Sequence, residues 1–308
     1  MPPESAGPLR LGWIGTGVMG APMCGHLLAG GHQVTVHTRT RGKAADLIAA
    51  GATWADTPSE VADASDVVFT MVGSPDDVRA TIGELLGTLH PGGIIVDMTT
   101  SSPSLARELA AQARAASVGL IDAPVTGGEA GAIGATLSIM VGGDPDAIDI
   151  VTPILRLLGA RIVIHGGPGA GQHAKAVNQI LMASNMLGLA EALHYAERAG
   201  LDLTRVLDSV SAGAAGSAAV TNLGPRIVAG DYAPGFAIRH FAKDLRIIAD
   251  ERSRMGLDPV VSGEALAVYE RCEQTGLGQL GIQGVIEQLR ADSPAPDPVD
   301  TVAGEPRP

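Results

Sequence analysis

Short runs of apolar residues alternate with helix-forming stretches through the first half of the chain, and this alternation stops near residue 200. Strands are predicted at 11–15 (LGWIG), 33–39 (QVTVHTR), 65–72 (SDVVFTMV), 92–100 (GGIIVDMTT), 119–125 (GLIDAPV), 136–143 (TLSIMVGG) and 161–167 (RIVIHGG). Several are apolar throughout, as strands covered on both faces of a parallel sheet must be. Helices are expected between them, among others at 19–29, 43–50 and 145–158. From about 172 to 199 the chain is rich in Ala, Leu, Met and Glu, with Gly200 as the stop. At 1.5 Å per residue such a helix runs roughly 40 Å, enough to reach from one domain into another. Beyond it only helices are predicted, at 202–212, 216–229, 242–255, 258–275 and 278–290. The expected fold is therefore an α/β Rossmann-type dinucleotide-binding domain (9–170), then an all-α domain (171–290), joined by the long interdomain helix. The acidic, proline-rich stretch 291–308 reads as a disordered tail.

The first strand runs directly into a glycine turn. Gly15, Gly17 and Gly20 fall in G-x-G-x-x-G spacing, with Thr16, Val18 and Met19 between them, and a helix and second strand follow. In that order of elements the turn presents backbone N–H groups to a dinucleotide pyrophosphate at a helix N-terminus. The second strand ends in HTRTR, with no carboxylate to grip ribose hydroxyls. Thr38, Arg39, Thr40 and Arg41 instead suit a 2′-phosphate, with Lys43 as a further cation, so NADP(H) is expected in preference to NAD(H). Ligands of open α/β sheets bind at the carboxyl ends of strands, which puts Met71, Val72, Gly73 and Thr99 to Ser101 beside the cofactor. Thr126, Gly127 and Gly128 form a turn able to hold a carboxylate, although a plain glycine turn has the same appearance. Near the start of the long helix Lys175, Asn178 and Gln179 share one face, an amine beside two carboxamides. Taken alone, that face is as readily a solvated one, and Lys243 reads as a surface lysine near a helix start.

Composition narrows the class. Across 308 residues, 45% are hydrophobic and 18% charged, with a net charge of −12. An acidic chain of this kind is no partner for nucleic acid, and no apolar run suits a membrane span. Cys24 and Cys272 are too few for a disulfide framework and fit a reducing cytoplasm. The N-terminus lacks a signal peptide's apolar core. No His/Cys/carboxylate cluster with ligand spacing occurs, so no metal is expected.

The motifs WIGTGVMGAPM, DAPVTGGEAGAIGATLSIMVGG, GAGQHAKAVNQ and FAIRHFAKDL, in that order, resemble those of the β-hydroxyacid dehydrogenases. That family includes 3-hydroxyisobutyrate dehydrogenase, tartronate semialdehyde reductase and glyoxylate/succinic semialdehyde reductases. The resemblance spans residues 11 to about 289. It implies that Lys175 is the catalytic lysine with Asn178 as companion, and that Thr126, Gly127 and Gly128 hold the substrate carboxylate. It implies that Lys243 lies over the site from the helical domain, close to nicotinamide or substrate, and that this domain takes part in a homodimer or homotetramer. Thr126 stands where serine is more usual, and Gln179 where many members have a second asparagine. The Asn178–Gln179 pair and GAAGS at 213–217 look most like the tartronate semialdehyde reductase branch. The implied partner is a small hydroxy acid or its semialdehyde. Alternatives are a 3-hydroxyisobutyrate or L-serine dehydrogenase, a glyoxylate/succinic semialdehyde reductase, an imine reductase on a similar scaffold, and a non-catalytic cofactor-binding protein.

Overall fold

The computed structural model describes residues 9–293. Its nine strands are β1 (Leu11–Ile14), β2 (Val34–His37), β3 (Thr53–Trp54), β4 (Val67–Thr70), β5 (Ile94–Asp97), β6 (Gly119–Asp122), β7 (Val125–Thr126), β8 (Ser138–Gly143) and β9 (Arg161–Gly166). Helices α1 (Gly20–Ala29), α2 (Ala45–Ala49), α3 (Pro58–Asp63), α4 (Pro75–Leu86), α5 (Pro103–Ala115), α6 (Gly128–Ile133) and α7 (Pro145–Leu155) lie between them. The long helix α8 (Ala170–Arg198) follows, then α9 (Leu203–Ser211), α10 (Ala218–Asn222), α11 (Gly224–Val228), α12 (Ile238–Arg254), α13 (Val261–Gln274) and α14 (Val285–Asp292).

One sheet holds all the strands, in the order β3-β2-β1-β4-β5-β6-β8-β7, with β9 on β8. From β3 to β6 every pairing is parallel, while β6–β8 and β7–β8 are antiparallel. The apolar strands β1, β4 and β5 are buried along their whole length because helices cover both faces. Alternate residues serve opposite sides: Leu11, Trp13, Phe69 and Val96 enter one core, and Ile14, Val68, Ile95 and Leu120 the other. Helix starts are set by short polar punctuation. Thr57, Ser74, Ser102 and Asp144 each cap a backbone N–H and each precede a proline at the first helical position.

The chain packs as two compact units. The first holds the described residues up to Ile180 together with Lys243–Pro259, and the second holds Leu181–Ala242 and the described residues from Val260 on. In the second unit Phe241 packs edge-on against buried Tyr269 at 4.8 Å, and the Tyr269 hydroxyl donates to Ile282 O. Several predicted helices differ in extent. The 216–229 segment is split into α10 and α11, because Pro225 has no N–H to continue the first of them. The 278–290 segment begins as two short 3-10 turns before α14. Helix α12 begins at Ile238, four residues before the expected 242, because Ile238, Phe241, Ala242 and Leu245 already form its buried stripe. Lys243 accordingly sits in the second turn rather than at the start. Of the expected tail, 294–308 lies outside the described residues, and Ala291 and Asp292 complete α14. Among the described residues no helix is long and apolar enough to cross a membrane.

Candidate active site

The glycine turn after β1 is shaped by close backbone contacts. A Cβ on Gly15 (φ +97°) would lie 2.2 Å from Met71 O, and one on Gly20 would lie 2.0 Å from Gly15 O. The buried Trp13 indole donates to Gly15 O at 2.9 Å, fixing the turn from beneath. Gly17 is different. Nothing lies within 4 Å of a Cβ built there, so this glycine leaves open space above the turn. Beside it, Thr16 Oγ1 is buried without a hydrogen-bond partner. Helix α1 starts at Gly20 with no side-chain cap and no acidic residue in its first turn. Open space, an unpartnered hydroxyl and a helix start without side-chain cap or acidic residue together form a cradle that fits a dinucleotide pyrophosphate. Val18 is exposed and Met19 half-buried at its rim.

The neighbouring strand ends are tied into this cradle. Val72 N donates to Thr99 Oγ1 at 3.0 Å, and Thr99 N donates to the buried Asp97 carboxylate, which also accepts from Thr70 Oγ1. Burial pushes the Asp97 carboxyl up to about 6, against the pull of these hydrogen bonds. Exposed Gly73 abuts Asp77, and Asp77 also pairs with Arg39 at 3.4 Å. Thr38 is half-buried and Thr40 exposed, while Arg41 lies over the Trp54 ring, 5.2 Å from its centroid.

Thr99 links the cradle to the start of α8. Gln172 Nε2 donates to Thr99 O at 2.7 Å, and Gln172 Oε1 accepts from Ser101 N at 2.9 Å. The first turn of α8 is also seated on Asp122, which accepts from Gly169 N at 2.7 Å and from Gln172 N at 2.8 Å. Burial raises the Asp122 carboxyl to about 7, and the two backbone donors act in the opposite direction. One turn further along, Lys175 is buried and its Nζ donates to Val125 O at 2.8 Å. Thr126, half-buried, is the next residue, followed by exposed Gly127 (φ +131°) and Gly128 (φ +64°), which open α6. Both glycines adopt a backbone that side chains disfavour, so the turn keeps its N–H groups uncovered.

Lys243 of α12 joins the same cluster. Its Nζ donates to Thr100 O at 2.8 Å and pairs with Asp244 Oδ1 at 3.0 Å. Asp244 Oδ2 accepts from Gln179 Nε2 at 2.6 Å, and Gln179 Oε1 accepts from Asn178 Nδ2 at 2.7 Å. Lys175 is pushed down to about 8, chiefly by burial; Asp244 opposes the shift and Lys243 adds to it. An ammonium so placed gives up its proton at about 8, well below the ordinary lysine range. The structure thus brings together Lys175, Asn178, Thr126, Lys243 and Thr99, all within the first unit. Asp97, Asp122, Gln172 and Asp244 support them and were not singled out by sequence. For the two strand aspartates a signal existed: IIVD and GLID each end an apolar strand in an acid, an expensive burial that calls for a purpose.

The chain is similar to known proteins over nearly its whole length. Residues 10–167 match the NAD-binding domain of 6-phosphogluconate dehydrogenase, and residues 169–289 match the NAD-binding domain of NADP-dependent 3-hydroxyisobutyrate dehydrogenase. A probable mitochondrial 3-hydroxyisobutyrate dehydrogenase-like protein of Arabidopsis thaliana is 49% identical over 287 residues, covering 91% of this chain and 85% of the relative. The 2-hydroxy-3-oxopropionate reductase of Escherichia coli is 36% identical over 285 residues, covering 91% and 97%. Among solved structures, Mycobacterium tuberculosis 3-hydroxyisobutyrate dehydrogenase with L-serine superposes with a TM-score of 0.85 at 30% identity, covering 92% of this chain and 99% of that one.

Proposed function

The chain belongs to the β-hydroxyacid dehydrogenase family and is an NAD(P)-dependent oxidoreductase, and within that family we propose that it interconverts a small 3-hydroxy acid and its semialdehyde with NADP(H). On this reading its activity is like that of a 2-hydroxy-3-oxopropionate (tartronate semialdehyde) reductase. The observation that carries the reading is Lys175: a buried amine brought down to about 8, bonded to the carbonyl of Val125 just before the Thr126 turn and under the influence of the Lys243–Asp244 pair.

The cofactor is assigned to the turn from Gly15 to Gly20, to Met71, Val72, Gly73 and Thr99 at the strand ends, and to Lys243. Thr38, Arg39 and Thr40 are assigned to the 2′-phosphate that distinguishes NADP(H) from NAD(H). When bound, the nicotinamide supplies the hydride in reduction and accepts it in oxidation. Thr126 and the N–H groups of Gly127 and Gly128 hold the substrate carboxylate, which places the other end of a three-carbon acid toward Lys175. As negative charge grows on the carbonyl oxygen, the Lys175 ammonium stabilises it and donates a proton from Nζ. In oxidation the neutral amine accepts the hydroxyl proton. Lys243 is pinned by Thr100 O and Asp244, so its charge is fixed in place rather than free to approach the reacting oxygen. Gln179 holds Asp244 on one side and Asn178 on the other, which orients the Asn178 amide toward the substrate oxygen.

Oxidation of 3-hydroxyisobutyrate or L-serine is the second reading, favoured by the Arabidopsis relative and by the L-serine complex of the mycobacterial enzyme. The two cysteines, Cys24 and Cys272, are free and buried, which supports a reducing compartment such as the cytoplasm.

A panel assay separates the readings: NADPH and NADH oxidation with tartronate semialdehyde, glyoxylate, succinic semialdehyde, methylmalonate semialdehyde and cyclic imines, and the reverse direction with 3-hydroxyisobutyrate and L-serine. Preference for NADPH with tartronate semialdehyde is the expected result. Turnover confined to the imines would remove Lys175 from its proposed role.

A further inference from the structure

Three basic residues follow β2, and the structure separates them. Arg41 lies over the ring of Trp54, whose indole N–H donates to Asp56 Oδ1 at 2.7 Å. Lys43 is exposed in the 3-10 turn Arg41–Ala44. Arg39 alone points to the α4 side, where its Nη1 meets Asp77 Oδ1 at 3.4 Å. Its side chain is 84% exposed, against 32% for Asp77.

Asp77 is held more firmly than Arg39. Its Oδ2 accepts from Ser74 Oγ at 3.0 Å, and its backbone N–H donates back to Ser74 Oγ at 3.1 Å. This reciprocal cap fixes the carboxylate at the first turn of α4. The same Oδ2 would lie 2.8 Å from a Cβ on Gly73, so Asp77 is also packed against the Val72–Gly73 rim of the cofactor cradle. A fixed carboxylate therefore stands beside the arginine assigned to the 2′-phosphate.

We infer that Asp77 is a specificity-determining residue that competes with the 2′-phosphate for Arg39 and so limits how strongly the enzyme prefers NADP(H) over NAD(H). This rests on the assignment of Arg39 to that phosphate. Two effects oppose one another at such a position. A carboxylate neighbour orients the guanidinium, which favours phosphate binding, and it repels the phosphate and occupies part of the guanidinium fork, which disfavours it. A single 3.4 Å contact to an 84% exposed side chain orients it little. The charge effect is present whatever the rotamer, and a phosphate close to Arg39 is close to Asp77. Repulsion and competition win. NAD(H) brings no charge to this position and does not meet the penalty, so the preference is compressed from the NADP(H) side.

The test measures NADPH and NADH dissociation constants by nicotinamide fluorescence for the wild type, Asp77→Asn, Arg39→Ala and the double variant. Asparagine keeps an acceptor for Ser74 and leaves the backbone cap intact; Asp77→Ser gives the same readout if the Asn variant folds poorly. The expected result is a NADPH-over-NADH preference raised about two- to fivefold by Asp77→Asn, the scale of an exposed ion pair. Arg39→Ala should abolish most of the preference, and Asp77→Asn should then have no further effect on it. An unchanged or lowered preference in Asp77→Asn, with the Arg39→Ala loss intact, overturns the inference and leaves the cofactor assignment standing. If Arg39→Ala leaves the preference unchanged, the assignment of Arg39 falls and the inference with it.

Discussion

Burial brings Lys175 to about 8, so its ammonium and amine forms are both populated close to neutral pH. The sign of the pH response follows from which form each direction needs. Reduction requires the ammonium, so its rate should fall as pH rises through about 8. Oxidation requires the amine and should rise over the same range. Rate profiles in both directions check this, and parallel profiles would contradict it. Lys175→Ala should lower turnover by at least about 10²-fold while leaving NADPH binding in place, the scale expected for a positioned acid–base group. Activity retained in that variant would exclude Lys175. The glycine turn allows a second test at single-residue scale. Gly17→Ala points its methyl into open space, so thermal stability should be unchanged while NADPH affinity drops. Gly20→Ala drives its methyl onto Gly15 O and should cost both. Equal affinity in Gly17→Ala and wild type would mean that the cradle lies elsewhere. These residues were legible in the sequence because their meaning is local: a turn, a spacing, a helix face. Lys243 was not, except through family resemblance. Its partner Thr100 is 143 residues away, and nothing near Lys243 in the chain distinguishes it from a surface lysine.

At the scale of elements, the placement of α8 decides whether Lys175 meets the Thr126 turn at all. The helix is seated by Asp122, whose two carboxylate oxygens take one backbone N–H from Gly169 just ahead of it and one from Gln172 in its first turn. Asp122→Asn replaces one acceptor with an amide that faces an N–H donor, leaving a buried donor unsatisfied. A loss of about 1–3 kcal/mol in stability is expected, measured by urea denaturation. Turnover should drop as well, since Lys175 lies one turn from the displaced seat. Full stability and turnover in Asp122→Asn would show that α8 is held by Gln172 and apolar packing alone. Strands β1, β2, β4 and β5 and the long helix follow their apolar patterns closely. Short elements did not announce themselves: β3 has two residues, and α3 and α6 have six each, too few for a period to show. The helix starts were better marked than the pattern suggested, since Thr57-Pro58, Ser74-Pro75 and Asp144-Pro145 are cap-and-proline pairs.

For the whole molecule, what remains is the surface that the chain leaves uncovered. Along α8 the residues Val177, Leu181 and Tyr195 are 59%, 60% and 74% exposed. With Gly188 between them, also exposed, they recur at intervals of four, seven and seven residues, which keeps all four within one narrow stripe of the helix. Isolated exposed apolar side chains need no explanation, but a stripe repeated over about five turns of one helix is the pattern of a face that packs on another surface. A glycine in the stripe permits close backbone approach there. A homodimer or homotetramer through this face is therefore expected, and light scattering should return a multiple of the 31.2 kDa chain mass. Leu181→Glu puts a charge into the stripe at a position that makes no contribution to the buried core, so it should shift the species toward the monomer without unfolding it. A monomer in the wild type at micromolar concentration would refute the expectation. An oligomer that tolerates Leu181→Glu would instead move the interface to another face. The sequence held this stripe in plain view, yet helical periodicity alone assigns an apolar face to a core. Only the packing of Ala183, Met186, Ala190 and Leu193 on the other side of α8 shows that the helix has two apolar faces and uses one of them within the chain.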